Sequence, residues 1–101
     1  MKVVVIGDKE TVTAYTLLGA IGIVVKNSEE MHQKLLEVAK REDIGLILLS
    51  ESFSKEIRDE INDYRLKHPI PLILEIPSRL TKEKTYFDYK EVVMKSMGIK
   101  V

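Results

Sequence analysis

Apolar runs alternate with amphipathic segments along the first three quarters of the chain. Continuous stretches of aliphatic and β-branched residues are typical of strands that are covered on both faces of a parallel sheet. The last of these stretches starts and stops at proline, which suits a strand end because proline cannot donate to an interior ladder. We therefore expect strands at Lys2–Gly7, Ile23–Val25 and Gly45–Leu49, and a fourth strand that starts at Pro71 and is stopped by Pro77.

Helical periodicity fills the intervals between these strands. Apolar residues recur there at spacings of three and four, which places them on one face of a helix. The predicted helices run over Thr11–Leu18, from Asn27 to about residues 41–43, and over Lys55–Lys67. Their apolar stripes are Val12, Tyr15 and Leu18 in the first, Met31, Leu35, Val38 and Ala39 in the second, and Ile57, Ile61 and Tyr64 in the third.

Polar residues with short side chains precede the helices and can cap them. Asp8 stands before the first helix, and Asn27 has capping-box spacing with Glu30. Ser52 or Ser54 is expected to cap the third helix. Strands that alternate with capped helices through short turns predict an α/β fold. The expected architecture is a four-stranded parallel sheet flanked by helices, similar to receiver, flavodoxin and other Rossmann-like folds.

The remaining residues differ in character from this α/β head, to which we assign residues 1–78. Residues 79–84 are polar and without periodicity, as in an exposed tether, and residues 85–101 hold one more helix at Phe87–Met97. Its stripe is formed by Tyr89, Val92, Val93 and Met97. This helix either packs on the sheet or detaches and binds elsewhere, and its periodicity is compatible with both.

Charge and composition narrow the class of protein. Hydrophobic residues make up 45% and charged residues 32% of 101 residues, without cysteine and with zero net charge, which argues against a nucleic-acid partner. Residues 1–78 carry a net charge of −3 and residues 79–101 a net charge of +3. This asymmetry is either ordinary surface charge or a means for the tail, residues 79–101, to contact the head or an acidic partner.

No apolar run is long enough to insert into a membrane, and no signal-peptide pattern precedes the first strand. We therefore expect a cytoplasmic protein.

The loops after the strands contain no recognisable catalytic or cofactor motif. Neither glycine-rich phosphate loop occurs, so no nucleotide or other cofactor is expected. Asp8 invites comparison with the phosphoacceptor site of a receiver, but the third strand ends in Leu49, Ser50 and Glu51 without an aspartate. His32 and His68 are far apart in sequence and are expected at the surface or at caps, so we expect no metal site.

Glu75 interrupts the apolar residues of the last strand. A lone buried carboxylate is costly without a partner. We expect either an edge position, where Glu75 reaches solvent or backbone amides, or a contact with another protein chain.

Five strings, in order along the chain, are typical of one protein family. They are Gly7-Asp8-Lys9-Glu10-Thr11-Val12-Thr13, Leu17-Leu18-Gly19-Ala20-Ile21-Gly22, Arg41-Glu42-Asp43-Ile44-Gly45-Leu46-Ile47-Leu48-Leu49, Pro71-Leu72-Ile73-Leu74-Glu75-Ile76-Pro77-Ser78-Arg79 and Met97-Gly98-Ile99-Lys100-Val101. The set closely resembles the F subunits of the V-type and A-type rotary ATPases. The first helix departs from the family pattern at Ala14-Tyr15-Thr16, where relatives commonly carry Gly-Phe.

The resemblance implies a non-catalytic subunit of the central rotor stalk. Such a subunit binds the coiled-coil D subunit of the stalk, while a mobile C-terminal helix reaches the A and B subunits of the catalytic sector and modulates ATP turnover. The residues expected to bind partners are Tyr89, Val92, Val93 and Met97, with Lys90 and Lys95 steering, and Glu75 and Arg79 at the end of the last strand. The alternatives are a stand-alone receiver-like signalling domain and a generic protein-interaction domain.

Overall fold

The computed structural model describes residues 1–77, which form a four-stranded parallel sheet with helices on both faces. The predicted α/β architecture is confirmed for this part of the chain. The expected tether at residues 79–84 and helix at Phe87–Met97 lie outside the described residues. The elements in order are β1 Lys2–Gly7, α1 Lys9–Thr16, β2 Ile21–Val24, α2 Ser28–Ala39, β3 Ile44–Ser50, α3 Glu51–Ser54, a 3-10 turn Lys55–Ile57, α4 Arg58–Lys67 and β4 Leu72–Ile76.

The strand order β2-β1-β3-β4 puts the two most apolar strands at the centre of the described sheet. Val4 of β1 pairs with Ile47 of β3, and Leu48 of β3 pairs with Leu74 of β4. Val4 and Ile47 have no exposed surface. Continuous apolar sequence therefore marks a strand that has neighbours on both sides and helices on both faces.

The two faces of the sheet are covered to different extents. On one face α2, the 3-10 turn and α4 bury the larger core, which contains Val4, Ile6, Val25, Met31, Leu35, Val38, Ile44, Ile47, Leu49, Ile57, Ile61 and Ile73. On the other face, α1 contributes Val12 and Tyr15 to a smaller core with Val5, Leu48 and Ile76. The larger core is the main source of hydrophobic stabilisation, since the free energy scales with the apolar area that is buried.

Helix α1 starts at Lys9, two residues earlier than predicted, because Asp8 is its N-terminal cap. The Asp8 carboxylate accepts a hydrogen bond from the Thr11 amide at 3.1 Å, as the sequence predicted. The helix also ends earlier, and Gly19 follows it with a φ of 102°, a conformation that glycine adopts without steric cost. Leu18 therefore lies in the turn and is 44% exposed, so its predicted place on the buried stripe is wrong.

Strand β2 begins at Ile21 rather than at the predicted Ile23, and it includes Gly22. A Cβ atom at Gly22 would lie 2.4 Å from Thr16 Cγ2 and 2.6 Å from Val12 Cγ1. Gly22 is thus required for the close packing of α1 on β2.

The chain becomes helical immediately after β3, earlier than the predicted start at Lys55. Helix α3 follows Ser50 directly and leads through the 3-10 turn into α4. The prediction that Ser52 or Ser54 caps the third helix is wrong, because α4 follows Ile57 and has no side-chain cap. The Ser52 hydroxyl donates to Asp8, and the Ser54 hydroxyl donates to Glu75. The predicted cap of α2 is confirmed, since Asn27 Oδ1 accepts from the Glu30 amide at 2.8 Å.

Strand β4 is shorter and less buried than predicted. It spans Leu72–Ile76 at one side of the described sheet, next to β3. Ile73 and Ile76 are buried, whereas Leu72 is 55% and Leu74 41% exposed. A run of leucine and isoleucine does not reveal which face is covered, because both residue types suit either environment.

We predict that Gly7→Ala destabilises the protein by about 2 kcal/mol, the usual size for an overpacked core site. A Cβ at Gly7 would lie 2.1 Å from Ser50 Oγ and 2.4 Å from Ser50 Cβ, and Ser50 is fully buried. Urea unfolding measures the loss. Adding Ser50→Gly should restore part of it. Gly45→Ala is the matched control, because it meets the exposed side chain of Met1, which can move.

Candidate functional site

Polar side chains gather at the carboxyl ends of β1 and β3, where α/β domains usually bind ligands. Asp8 is 6% exposed, and its Oδ1 accepts from Thr11 Oγ1 at 2.9 Å and from Ser52 Oγ at 3.2 Å. The Asp8 amide donates to Ser50 Oγ at 3.3 Å. These bonds tie the start of α1 to the end of β3. The carboxylate that the receiver comparison singled out is thus engaged as a helix cap, and Ser50 stands at the end of β3.

A second polar cluster joins β4 to the helices that follow β3. The Glu75 carboxylate accepts from Arg58 Nε and Nη2 at 3.1 Å each and from the Ser54 hydroxyl. Its side chain is 18% exposed and that of Arg58 is 51% exposed. Strand β4 is an outer strand of the described sheet, as the first expectation for Glu75 required. Within residues 1–77 the groups that bond to Glu75 are a guanidinium and a hydroxyl rather than backbone amides, and part of its side chain still reaches solvent.

The pKa of Glu75 reflects this mixed environment. Partial burial raises the pKa, but the hydrogen bonds from Arg58 and Ser54 and the positive charge of Arg58 together lower it by more. The net result is a pKa below the ordinary value. Glu75 is therefore ionised at neutral pH and holds Arg58 against the end of β4.

A second arginine of α4 also reaches β4. Arg65 Nη2 and Nε donate to the carbonyl oxygen of Ile73 at 2.7 and 3.1 Å. Arg65 Nη1 donates to Asn62 Oδ1 at 3.1 Å, which orients the guanidinium plane. Arg58 and Arg65 are seven residues apart, close to two helical turns, so both project from one side of α4.

Within the described residues 1–77, the smaller core leaves an apolar surface that we call the open face. It comprises a groove of about 700 Å³ and the neighbouring side chains of Leu72 and Leu74. Pairing of Leu46 with Leu72 and of Leu48 with Leu74 places all four leucines on the face that carries α1. The groove is lined by Met1, Lys2, Val3, Tyr15, Leu18, Gly19, Ala20, Ile21, Leu46 and Leu48.

The open face is better suited to binding a helix than to catalysing a reaction. The lining of the groove is largely apolar, and apolar grooves commonly bind the apolar stripe of an amphipathic helix. Within residues 1–77 no group of three or more His, Cys, Asp or Glu side chains is placed to hold a metal ion. In the same residues no helix has both the length and the apolar character of a membrane span.

Glu75 is the predicted partner-binding residue that falls within the described part of the chain, and its contacts there are to Arg58 and Ser54. Arg79, Tyr89, Lys90, Val92, Val93, Lys95 and Met97 lie outside the described residues.

Comparison with known proteins shows the family to which the chain belongs. The family profile of the ATP synthase (F/14-kDa) subunit matches residues 3–96. This chain belongs to that family. It is 34% identical over 100 residues to the F subunit of the A-type ATP synthase of Methanocaldococcus jannaschii, covering 98% of this chain and 97% of the relative. The F subunit of the A-type ATP synthase of Pyrococcus abyssi is 32% identical, and the match covers 100% of this chain and 98% of the relative.

The family extends to eukaryotic relatives. The F subunit of the V-type proton ATPase of Xenopus laevis is 34% identical over 104 residues, covering 90% of this chain and 89% of the relative. The chain is thus similar to A-type and V-type subunits over nearly their whole lengths. The family named from the five sequence strings is confirmed.

Sequence reasoning missed the arginines and the serine that bind β4. A carboxylate inside an apolar strand was a signal that a partner was needed, but nothing local indicated which side chain would supply it. Arg58 precedes Glu75 by 17 residues, and the two meet only because α4 packs beside β4. The open face was missed because it depends on how far α1 extends across the sheet.

We predict that Glu75→Gln lowers the free energy of unfolding at pH 7 by about 1 kcal/mol. A hydrogen bond to a charged group usually contributes about 1.5–3 kcal/mol. The predicted loss is smaller because solvent screens the half-exposed Arg58. A depressed pKa stabilises the fold above the unfolded pKa of about 4.5, and this contribution is lost as the pH falls through the lower, folded pKa. The difference between wild type and variant should therefore be constant near neutral pH and shrink below pH 4.5, as measured by urea unfolding across pH.

Asp63→Asn is the control for this prediction. Asp63 pairs with Lys67 at 3.2 Å, but both side chains are about two-thirds exposed. Its removal should change stability by less than about 0.5 kcal/mol. Equal effects of the two substitutions would contradict the structural role assigned to Glu75.

Proposed function

We propose that the chain is a non-catalytic central-stalk subunit of a V/A-type rotary ATPase, which binds the coiled-coil D subunit of the stalk and turns with it. The similarity to F subunits of A-type and V-type complexes, over nearly the full length of both chains, carries this proposal. As part of such a complex, the chain is peripheral to the membrane, on its cytoplasmic side. The conclusion does not depend on a reaction centre, since a stalk subunit acts through its interfaces.

The mechanism we propose is a shift of populations between rotational states. A subunit that binds one state more tightly than another favours that state by its difference in binding free energy, about 1–3 kcal/mol for typical coupled sites. The tail supplies this difference by contacting the A and B subunits of the catalytic sector. Its apolar anchors are Tyr89, Val92, Val93 and Met97, and Lys90 and Lys95 steer it towards acidic surfaces.

The open face gives the tail a second place to bind. The described chain leaves the sheet at Pro77, immediately after β4 and beside Leu74 and Ile76. A six-residue tether spans up to about 20 Å, enough to cross two strands that are roughly 5 Å apart. An 11-residue helix is about 16 Å long, similar to a five-residue strand. The predicted helix therefore fits along β3 and β4, and the tail would alternate between this site and the catalytic sector.

Titration calorimetry against the purified D subunit tests whether the head, residues 1–78, is the part of the chain that binds this subunit. We expect binding by the full chain and by a version that ends at Ser78, because the sheet and both core clusters lie within residues 1–77. Circular dichroism and thermal melting would first establish that the shorter version is folded. Binding by the full chain alone would make the tail the anchor. If neither form bound, the stalk assignment would fail.

Replacing Val92, Val93 and Met97 together with serine tests the tail. We expect the ATPase rate of the reassembled complex to change by about fivefold or more, as a coupling of about 1 kcal/mol requires. Glu91→Ser is the control, since Glu91 lies outside the apolar stripe. Binding to the D subunit should remain unchanged in both variants. Unchanged assembly and unchanged ATPase rate in the triple variant would remove the support for a regulatory tail.

A further inference from the structure

We propose that Arg65 seals the outer edge of β4 against pairing with β4 of a second copy of this chain. This role does not depend on the function proposed above. It follows from where the guanidinium binds and from what the same edge would offer if the guanidinium were absent.

Arg65 occupies a backbone acceptor that an added strand would need. Two nitrogens of its guanidinium donate to the carbonyl oxygen of Ile73, at 2.7 and 3.1 Å, and Asn62 holds the third nitrogen at 3.1 Å. Ile73 is the second residue of the five-residue strand. The arginine therefore blocks the edge within the strand itself, not in a flanking loop.

The geometry of a parallel ladder shows why this oxygen faces outward. Successive residues of a strand direct their backbone groups to opposite sides, and the groups on one side of β4 bond to β3. The Ile73 carbonyl bonds to a side chain of α4, so it lies on the side away from β3. By the same alternation, the backbone groups of Glu75 share that outer edge.

An unprotected edge at β4 would be suited to a second copy. Two identical edges that meet antiparallel about a two-fold axis satisfy each other's backbone groups. Leu72 and Leu74 are half exposed on one face, so a joined sheet would extend that apolar surface across the axis. Natural sheets commonly prevent such pairing with a charged residue at the edge, and a guanidinium bonded to the edge carbonyl is a direct form of this protection.

The opposite side of the described sheet needs less protection. Strand β2 has four residues and contains Gly22, and short or interrupted edge strands are weak templates. Arg65 thus protects the longer and more apolar of the two outer strands of the described sheet.

Arg65→Leu in the full chain tests the proposal by sedimentation velocity over a concentration series. Leucine keeps part of the aliphatic stem but cannot donate to Ile73. We expect the variant to self-associate at least tenfold more tightly than wild type, and amide exchange at Ile73 and Glu75 to slow as its concentration rises. Arg65→Met is made in parallel, so that a folding defect in one variant does not end the test.

Arg58→Leu is the matched control. It removes an arginine from the same side of α4 and breaks a contact to β4, but it leaves the Ile73 carbonyl covered. We expect it to self-associate no more than wild type. The proposal is overturned if the Arg65 variants associate no more than Arg58→Leu, or if they associate without added exchange protection in β4.

Discussion

The structure depends on keeping the central pair of strands, β1 and β3, out of water on both sides. Their apolar runs have no polar face, so helices must cover them from above and below. Helices α2 and α4 do this fully on one face. On the other face α1 covers the sheet only in part, over Val5, Leu48 and Ile76, and the apolar surface beside it forms the open face. Within residues 1–77, the reach of α1 therefore determines how much of the second face is covered.

The elements that sequence predicted well are those whose signals are local. The Asp8 and Asn27 caps each follow from an acceptor three residues before a free amide, and the stripe of Met31, Leu35 and Val38 follows from helical spacing. Features that depend on tertiary contacts could not be predicted in this way. The role of Gly22 could not be predicted, because its packing against Val12 and Thr16 exists only in the folded state. Ser54 resembled a cap, but its hydroxyl bonds to a residue 21 positions later.

The family was recognisable without any catalytic motif because its sequence strings contain residues that the fold requires. Gly7 leaves room for Ser50, Gly19 takes the left-handed turn after α1, and the last strand carries the carboxylate that receives Arg58. Each of these positions is constrained by packing or by backbone geometry. Membership of this family is therefore more apparent in the requirements of the fold than in the surface, where substitutions are tolerated more easily.

The attachment of α4 to β4 has a mechanical consequence. A single contact between a helix and a strand would act as a pivot, whereas Arg58 and Arg65 pin the helix at two points about 10 Å apart along its axis. Two pins resist rotation as well as separation. A force applied to β4 from outside would therefore move α4 with it, and Ile61 would carry the displacement from α4 into the larger core.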